Sequence, residues 1–509
     1  MYQLKIEIRD GEFWYGIGSV FGVDMPISKN SEFKHDMRTN YSCNQESPLM
    51  LSSDGRYIWS DGPFLTEVKD GVIALEGTHE ILLCEGFGDL RGAFLAASKA
   101  HFPANGELPA ENFFKKPQYN TWIELIYDQN QADVLKYAHS ILDNGLPPGI
   151  IMIDDNWNYY YGRWDFNRAT FPDPRAMVDE LHAMGFEVMV WVCPFISADS
   201  REYRYLRDKG YLLRDPHRGG APALRGWWNG YSAELDLTNP GAVEWFTAQL
   251  DRLQTEYGID GFKFDAGEVY FYGENDITYA PTTPHEQCER WAKFGLKYKY
   301  NEYRACFKCA GLPLVQRLCD KKHAWKEGVA TLIPNTLAQG ILGYAFTCPD
   351  MIGGGDYVDF LPETLTLDME LFVRSAQASA LLPMMQYSAA PWRILDREHA
   401  DYCIHAGELH VKYADEVFEL VKAAANTCEP VIRYMEYVFP HMGYGAINDQ
   451  FMLGEKVLCA PVVEKGARER TVVLPAGEKW KYCDGTVYEG GQTVTVAASL
   501  DTLPYFERV

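Results

Sequence analysis

Between residues 113 and 400 the chain repeats one pattern, a short apolar run followed by a long amphipathic stretch. The apolar runs are NTWIELIYD, GIIMIDD, FEVMVWVCP, GFKFDAGE, YRACFKC, LPLVQRLCD, GYAFTCPD and LLPMMQYSA. The amphipathic stretches include ADVLKYAHSILDNG, PDPRAMVDELHAMGF and NPGAVEWFTAQLDRLQTEYG. The first ends on Asn-Gly, the second opens on Pro and Asp, and the last two close at Gly or just past it, which are helix start and stop signals. Strands that alternate with helices need crossover connections, and those build a parallel sheet. Eight such strands in one region are what a (β/α)8 TIM barrel takes.

The flanks read differently. Residues 1–112 alternate apolar and polar in short runs (YQLKIEI, GVIALEG, EILLCEG), the pattern of an N-terminal antiparallel β-sandwich. Residues 401–436 read as a helical connection closing the barrel. Residues 437–509 return to β (DQFMLGEKVLCAPVV, RTVVLP, KWKYCDG, QTVTVAA) with Asp-Gly and Gly-Gly turns, a C-terminal β-sandwich. The expected fold class is α/β, with a catalytic barrel over 113–400 between two β domains.

Charge narrows the partners. Lys and Arg number 47 against 71 Asp and Glu, a net charge of −24. Polyanions are repelled by such a surface, which excludes nucleic acid and an anionic membrane face. A neutral small molecule is compatible, and a homo-oligomer is left open. The start, MYQLKIEIRDGEFWYG, lacks the apolar core of a signal peptide, and no apolar run is long enough to span a bilayer. The 12 cysteines are dispersed, and the one CxxC, Cys306 and Cys309, has no second pair to complete a zinc site. A reducing, cytoplasmic setting is the expectation.

The stretch GIDGFKFDAGE carries three acids. The active face of a (β/α)8 barrel is built at the C-terminal strand ends. Asp260 precedes its strand, Asp265 ends it, and Glu268 lies in the loop beyond. Side chains alternate along a strand, so Lys263 and Asp265 share one face while Phe262 and Phe264 share the other. A lysine beside a carboxylate favours its ionised form, as a nucleophile requires. A buried structural ion pair fits the same residues. LPLVQRLCD ends a later strand in Asp320. Two carboxylates across a barrel mouth suit glycosidic cleavage, one attacking the anomeric carbon and the other protonating the leaving oxygen. A helix-capping role fits Asp320 equally on this basis.

At these residues the chain resembles glycoside hydrolase family 31. The blocks RWDFNRATFPDPRAMVDELHAMGFEVMVWVCPFI, WWNGYSAELDLTNPGAVEWF and DQFMLGEKVLCAPVVEKGARERTVVLPAGEKW carry the resemblance by their order and spacing. It implies a retaining α-glycosidase with Asp265 as nucleophile and Asp320 as acid/base, and no metal or organic cofactor. Three motifs depart from the family's usual pattern. The acid/base context reads Leu318-Cys319-Asp320-Lys321 in place of Trp-x-Gly-Asp. The strand-eight Arg-x-His reads Gln386-Tyr387-Ser388. The His-Asp-Ile-Gly-Gly-Phe motif reads Pro349-Asp350-Met351-Ile352-Gly353-Gly354. KFDAGE and PDMIGG together resemble a branch of the family that implies α-galactosidase activity. Losing the strand-eight His argues against an ordinary α-glucosidase, because a buried sugar hydroxyl would lose its partner.

Within that branch the resemblance implies a sugar pocket. Trp122, on the first strand, and Trp228 would supply aromatic walls. Asp154 and Asp155 would bind hydroxyls, Lys263 would hold one next to the nucleophile, and Arg304, with Arg317 as its rival, would reach the 2-hydroxyl side. Asp350 and Glu268 are read as structural support. The expected substrate is a small α-linked oligosaccharide or glycoside with terminal galactose. An α-glucosidase or α-xylosidase of the same family, and a catalytically inert sugar- or protein-binding homologue, are the alternatives.

Overall fold

The computed structural model describes residues 1–39 and 44–509. The chain divides into two compact units. One is Gln118–Phe307. The other runs to Pro117 and resumes at Lys308–Val509.

The unit Gln118–Phe307 holds five of the barrel strands: β1 (Gln118–Asn120), β2 (Ile150–Ile153), β3 (Glu187–Val192), β4 (Gly261–Phe264) and β5 (Tyr300–Tyr303). They pair in chain order, every pair parallel. The intervening helices start and stop where their caps dictate. Helix α1 (Gln131–Asp143) is capped by Asn130, whose side chain accepts from the Asp133 N–H. Helix α2 (Pro174–Ala183) has the Asp173 cap and Pro at its first position. Helix α3 (Pro240–Tyr257) is capped by Asn239 and ends at Gly258 in the left-handed region, φ 80°. Helix α4 (Pro284–Phe294) has a full capping box from Thr283 and Glu286.

Two apolar runs form less strand than their composition suggests. NTWIELIYD leaves the sheet after Asn120, because the Asn120 side chain accepts from the Trp122 N–H and turns the chain. Trp122–Leu125 is then one turn of helix, so Trp122 stands just past the first strand rather than on it. Strand β5 lies upstream of the run YRACFKC. Only Tyr303 of that run belongs to it, and Cys306–Phe307 forms a separate short strand.

The other unit contains the last three barrel strands: β6 (Val315–Arg317), β7 (Thr347–Cys348) and β8 (Gln386–Tyr387). Strands β6 and β7 pair in parallel, and Met351 bridges Gln386 in parallel just beyond β7. Its N-terminal part forms two antiparallel sheets, one ordered Tyr2–Glu7, Val72–Gly77, Phe64–Lys69, Phe33–Asp36. The helical connection consists of Arg397–Lys412 and Ala414–Thr427. The C-terminal strands enclose a core of Met452, Leu458, Trp480 and Phe506. Arg374, on α5 (Met369–Ala380), ties the C-terminal strands down. Its guanidinium is fully buried and donates to the carbonyl oxygens of Ala467, Ala498, Ser499 and Thr502. Burial lowers its pKa to about 10. Among the described residues no helix is long and apolar enough to cross a membrane. The architecture is that of a (β/α)8 barrel with antiparallel β domains before and after it in sequence.

Candidate active site

The nucleophile candidate stands one residue past β4. Gly261 opens this strand, and a Cβ there would meet the Tyr300 carbonyl oxygen at 2.1 Å, so only glycine lets β4 and β5 close up. The pleat then runs as the sequence implies. Phe262 and Phe264 pack among Tyr298, Trp291 and Tyr303. Lys263 and Asp265 take the opposite face, and both are buried. Asp260 lies at the other end, accepting from the Val188 N–H and contacting His182, which is a structural role.

Asp265 is held as an acceptor from three sides. Trp191 Nε1 donates to Oδ2 at 2.8 Å, the Ala266 N–H donates to Oδ1 at 3.0 Å, and Arg304 Nε lies 3.4 Å from Oδ1. Donors to a carboxylate favour its charged form. The chain leaves Asp265 through two successive left-handed residues, Ala266 (φ 58°) and Gly267 (φ 78°). For Ala266 this conformation costs about 1–2 kcal/mol, strain of a kind that gathers at functional sites.

Two cations lie among these acids. Lys263 donates its ammonium to Asp154 Oδ2 at 2.7 Å. Arg304, from the end of β5, is a cation beside the nucleophile candidate. It also donates to Glu268 Oε1 and lies over the Trp228 ring, 4.8 Å from its centroid. Glu268 therefore supports the arginine. Burial pushes the Glu268 carboxyl above the usual carboxylate range, with Arg304 opposing and the Asp265 charge adding to the rise.

Asp154 and Asp155 follow β2, and each is 2% exposed. Asp155 accepts from the Tyr161 hydroxyl at 3.1 Å and from Asn229 Nδ2 at 2.8 Å. Burial, and then the neighbouring Asp154 charge, push its pKa up to about 7. Asn229 sits with Trp228 at the tip of the hairpin Leu224–Trp227 and Gly230–Glu234. That hairpin gives its two adjacent tryptophans different settings. Trp227 packs on Phe195 and donates to Ser232 Oγ, whereas Trp228 is 40% exposed beneath Arg304. Trp122 is 8% exposed, with its ring edge-on to Tyr127. Trp191, Tyr161 and Asn229 had no signal of their own in the sequence. Only the pairing of Trp191 with Lys263 across β3 and β4 brings the first of them into place.

In the other unit Asp320 follows β6. Arg317, 1% exposed, donates from one Nη1 to Asp320 Oδ1 at 2.8 Å and to Asp350 Oδ1 at 2.6 Å. Asp350 also accepts from the Lys321 N–H at 2.7 Å, so it braces the loop that carries Asp320. Burial raises the Asp350 carboxyl, with Arg317 opposing. A Cβ on Gly355 would come within 3.1 Å of Asp320 Oδ1 and 2.8 Å of Asp350 Oδ1, so the glycine run after Asp350 lets the chain pass both carboxylates. The Asp320 side chain keeps 31% of its surface exposed, which leaves water a route to it. On β8 the Tyr387 hydroxyl is occupied by the Cys403 carbonyl. Among the described residues no group of three or more His, Cys, Asp or Glu side chains is arranged to hold a metal ion.

Comparison with known proteins gives the same architecture. Residues 116–310 match the model of the glycosyl hydrolases family 31 TIM-barrel domain, and residues 428–509 match that family's C-terminal domain. The mouse myogenesis-regulating glycosidase is 32% identical over 423 residues, 80% of this chain and 58% of that protein. The SITS-binding protein of Tetronarce californica is 29% identical over 59% of this chain and 44% of its own length. The chain thus spans about half the length of these relatives. A family 31 dextranase of Flavobacterium johnsoniae, solved with glucose, superposes with a TM-score of 0.84 over 99% of this chain and 66% of the dextranase, at 21% identity.

Proposed function

From the premise that this chain belongs to glycoside hydrolase family 31, we propose that it is an exo-acting retaining α-galactosidase. The observation that carries the reading is the setting of Asp265, a buried carboxylate with two hydrogen-bond donors and a guanidinium directed at its oxygens. Such a group stays ionised and cannot turn away, which is what attack on an anomeric carbon requires. In the first step an Asp265 oxygen bonds to the anomeric carbon and the glycosidic bond breaks. The Asp320 carboxyl gives its proton to the departing oxygen. In the second step Asp320 takes a proton from water, the water oxygen bonds to the anomeric carbon, and the Asp265 ester bond breaks. Two inversions give net retention. Lys263 with Asp154, Asp155, and Trp122 and Trp228 would hold the sugar, and Arg304 would serve both Asp265 and the 2-hydroxyl side. Galactose is chosen because β8 carries Gln386-Tyr387-Ser388 where glucose-binding members carry Arg-x-His, and because KFDAGE and PDMIGG follow the galactosidase-like branch.

The test is a panel of aryl α-glycosides. Faster release from the galactoside than from the glucoside or xyloside supports galactose, and the reverse order refutes it. Asp265→Ala should abolish turnover, and azide should restore part of it as the β-glycosyl azide. Full activity in that variant would remove Asp265 from the chemistry. A second reading, a ligand-binding homologue without turnover, draws on the similarity to a protein named for binding. Zero hydrolysis across the panel by a folded protein would favour it.

A further inference from the structure

The loop that ends in Asp320 is braced by a residue far from it in sequence. Its strand, β6, is three residues long. The ladder to β7 reaches one residue further, where the Leu318 N–H donates to the Cys348 carbonyl at 3.0 Å. The next N–H, that of Cys319, donates to Asn44 Oδ1 at 2.8 Å. The same Asn44 amide donates from Nδ2 to the Arg317 carbonyl at 3.3 Å. One side chain thus straddles Leu318, bonded to the residue before it and to the residue after it. Asp320 comes next in the chain.

The brace is itself held. Asn44 is 3% exposed and immediately precedes the strand Gln45–Ser52, which is buried along its whole length. That strand pairs antiparallel with Trp14–Gly18 and with Tyr57–Ser60. Gln45, fully buried, donates from Nε2 to the Arg317 carbonyl and to Gln316 Oε1, each at 3.0 Å. Its Oε1 accepts from Gln339 Nε2 at 2.8 Å and from Ser19 Oγ at 3.0 Å. A buried amide engaged at both ends resists turning, because each buried group left unpaired costs about 1–3 kcal/mol. Arg317 passes the constraint on. Asn44 and Gln45 grip its carbonyl, and its guanidinium donates to Asp320 Oδ1.

We infer that Asn44 is a positioning residue for the acid/base, so that the head of the N-terminal strand Gln45–Ser52 sets where Asp320 delivers its proton. This rests on the proposed glycosidase reading and adds a residue to it. General acid catalysis contributes about 10²–10⁴-fold and needs the proton within hydrogen-bond reach of the departing oxygen. A misplacement of about 1 Å forfeits on the order of 100-fold. Asn44 acts through Arg317 and Cys319, so its loss shows where the leaving group needs that proton and not where it departs without one.

The experiment compares kcat/KM on two substrates of the preferred sugar. In the methyl α-glycoside the departing oxygen takes the Asp320 proton and leaves as methanol. In the α-glycosyl fluoride the leaving group departs as fluoride ion and takes no proton. Asn44→Ala should lower kcat/KM on the methyl glycoside about 10- to 100-fold and hold the fluoride within about 2-fold of wild type. Asn44→Asp has the same shape, keeps the acceptor for the Cys319 N–H and loses the donor to the Arg317 carbonyl, so its loss should lie between wild type and Asn44→Ala. Arg374→Met is the control, a destabilised variant whose lost bonds lie at the C-terminal strands, and it should keep the wild-type ratio of the two substrates. Asp320→Ala sets the limit of the split. Equal losses on both substrates in Asn44→Ala, or none on the methyl glycoside, would overturn the brace. If Asp320→Ala splits the substrates and Asn44→Ala does not, the brace falls and the glycosidase reading stands. If Asp320→Ala loses both equally, or the wild-type protein cleaves no fluoride, that reading falls and the brace with it.

Discussion

Arg304 offers the sharpest perturbation of the site. Its Nε lies 3.4 Å from Asp265 Oδ1. At an effective dielectric of about 20 this separation corresponds to about 5 kcal/mol of attraction, or more than three pKa units as an upper bound. Glu268 reduces the net effect. It shares the same guanidinium, and burial raises its carboxyl, so Asp265 does not have the arginine's charge to itself. The expected consequence of Arg304→Gln is therefore a rise of about 1–3 units in the pKa of the attacking carboxylate, the usual span for an Asp that loses an Arg partner. The sign follows directly. A carboxylate with a raised pKa loses its charge at a higher pH, so the acid limb of kcat/KM moves to higher pH. The assay is kcat/KM against pH on an aryl α-galactoside, which reports the free enzyme. Glu268→Gln should move the same limb the other way, because it removes a like charge and keeps an acceptor for Arg304. Arg304→Lys should shift it less than Arg304→Gln. An acid limb that stays within about 0.3 pH units in Arg304→Gln would show that Arg304 does not govern the nucleophile's ionisation.

Two other groups give independent readouts. Asp155 holds its proton to about pH 7, whereas its ordinary value is 3.8. Between those values the folded protein keeps a proton that the unfolded chain has lost, so stability falls as pH rises, by about 4 kcal/mol in all. Asp155→Asn should flatten urea-unfolding stability between about pH 4 and pH 7 by that order, and an unchanged slope would refute the assignment. Arg374→Met should strip a donor from four carbonyls, of which that of Ala498 is fully buried. At about 1–3 kcal/mol for the buried group left unsatisfied, with less from the partly buried three, a loss of about 2 kcal/mol or more in urea unfolding is expected, and a loss below about 1 kcal/mol would contradict it.

The local physics of β4 was legible from eleven residues. Alternation placed Phe262 and Phe264 toward the helices and Lys263 and Asp265 away from them, because a pleat has a period of two whatever surrounds it. Helix ends were legible for the same reason, since Asp173 caps through a bond to its own chain and Gly258 stops its helix in the left-handed region. What depends on neighbouring strands was not legible. Lys263 goes to Asp154, 109 positions earlier, and Arg304 comes to Asp265 from the end of β5. Neither pairing has a sequence period. NTWIELIYD misled because its composition suits a strand, while a single side chain-to-backbone bond from Asn120 ends the strand at once.

The charge arrangement around β4 has its own logic. Four buried acids, Asp154, Asp155, Asp265 and Glu268, share two cations, Lys263 and Arg304. Four desolvated anions cannot all ionise cheaply beside two positive charges. The strain falls on Asp155 and Glu268, the acid of each pair that lies farther along its loop, and these are the carboxyls burial pushes up. Lys263 contacts Asp154, and Arg304 is shared by Asp265 and Glu268. A neutral Asp155 can donate as well as accept, so its neighbours Tyr161 and Asn229 become part of a hydrogen-bonding set whose polarity changes near pH 7. A sugar hydroxyl bound there would meet a donor below that pH and an acceptor above it. On this argument sugar preference and pH dependence should be linked at Asp155, separately from the contact between Arg304 and Asp265.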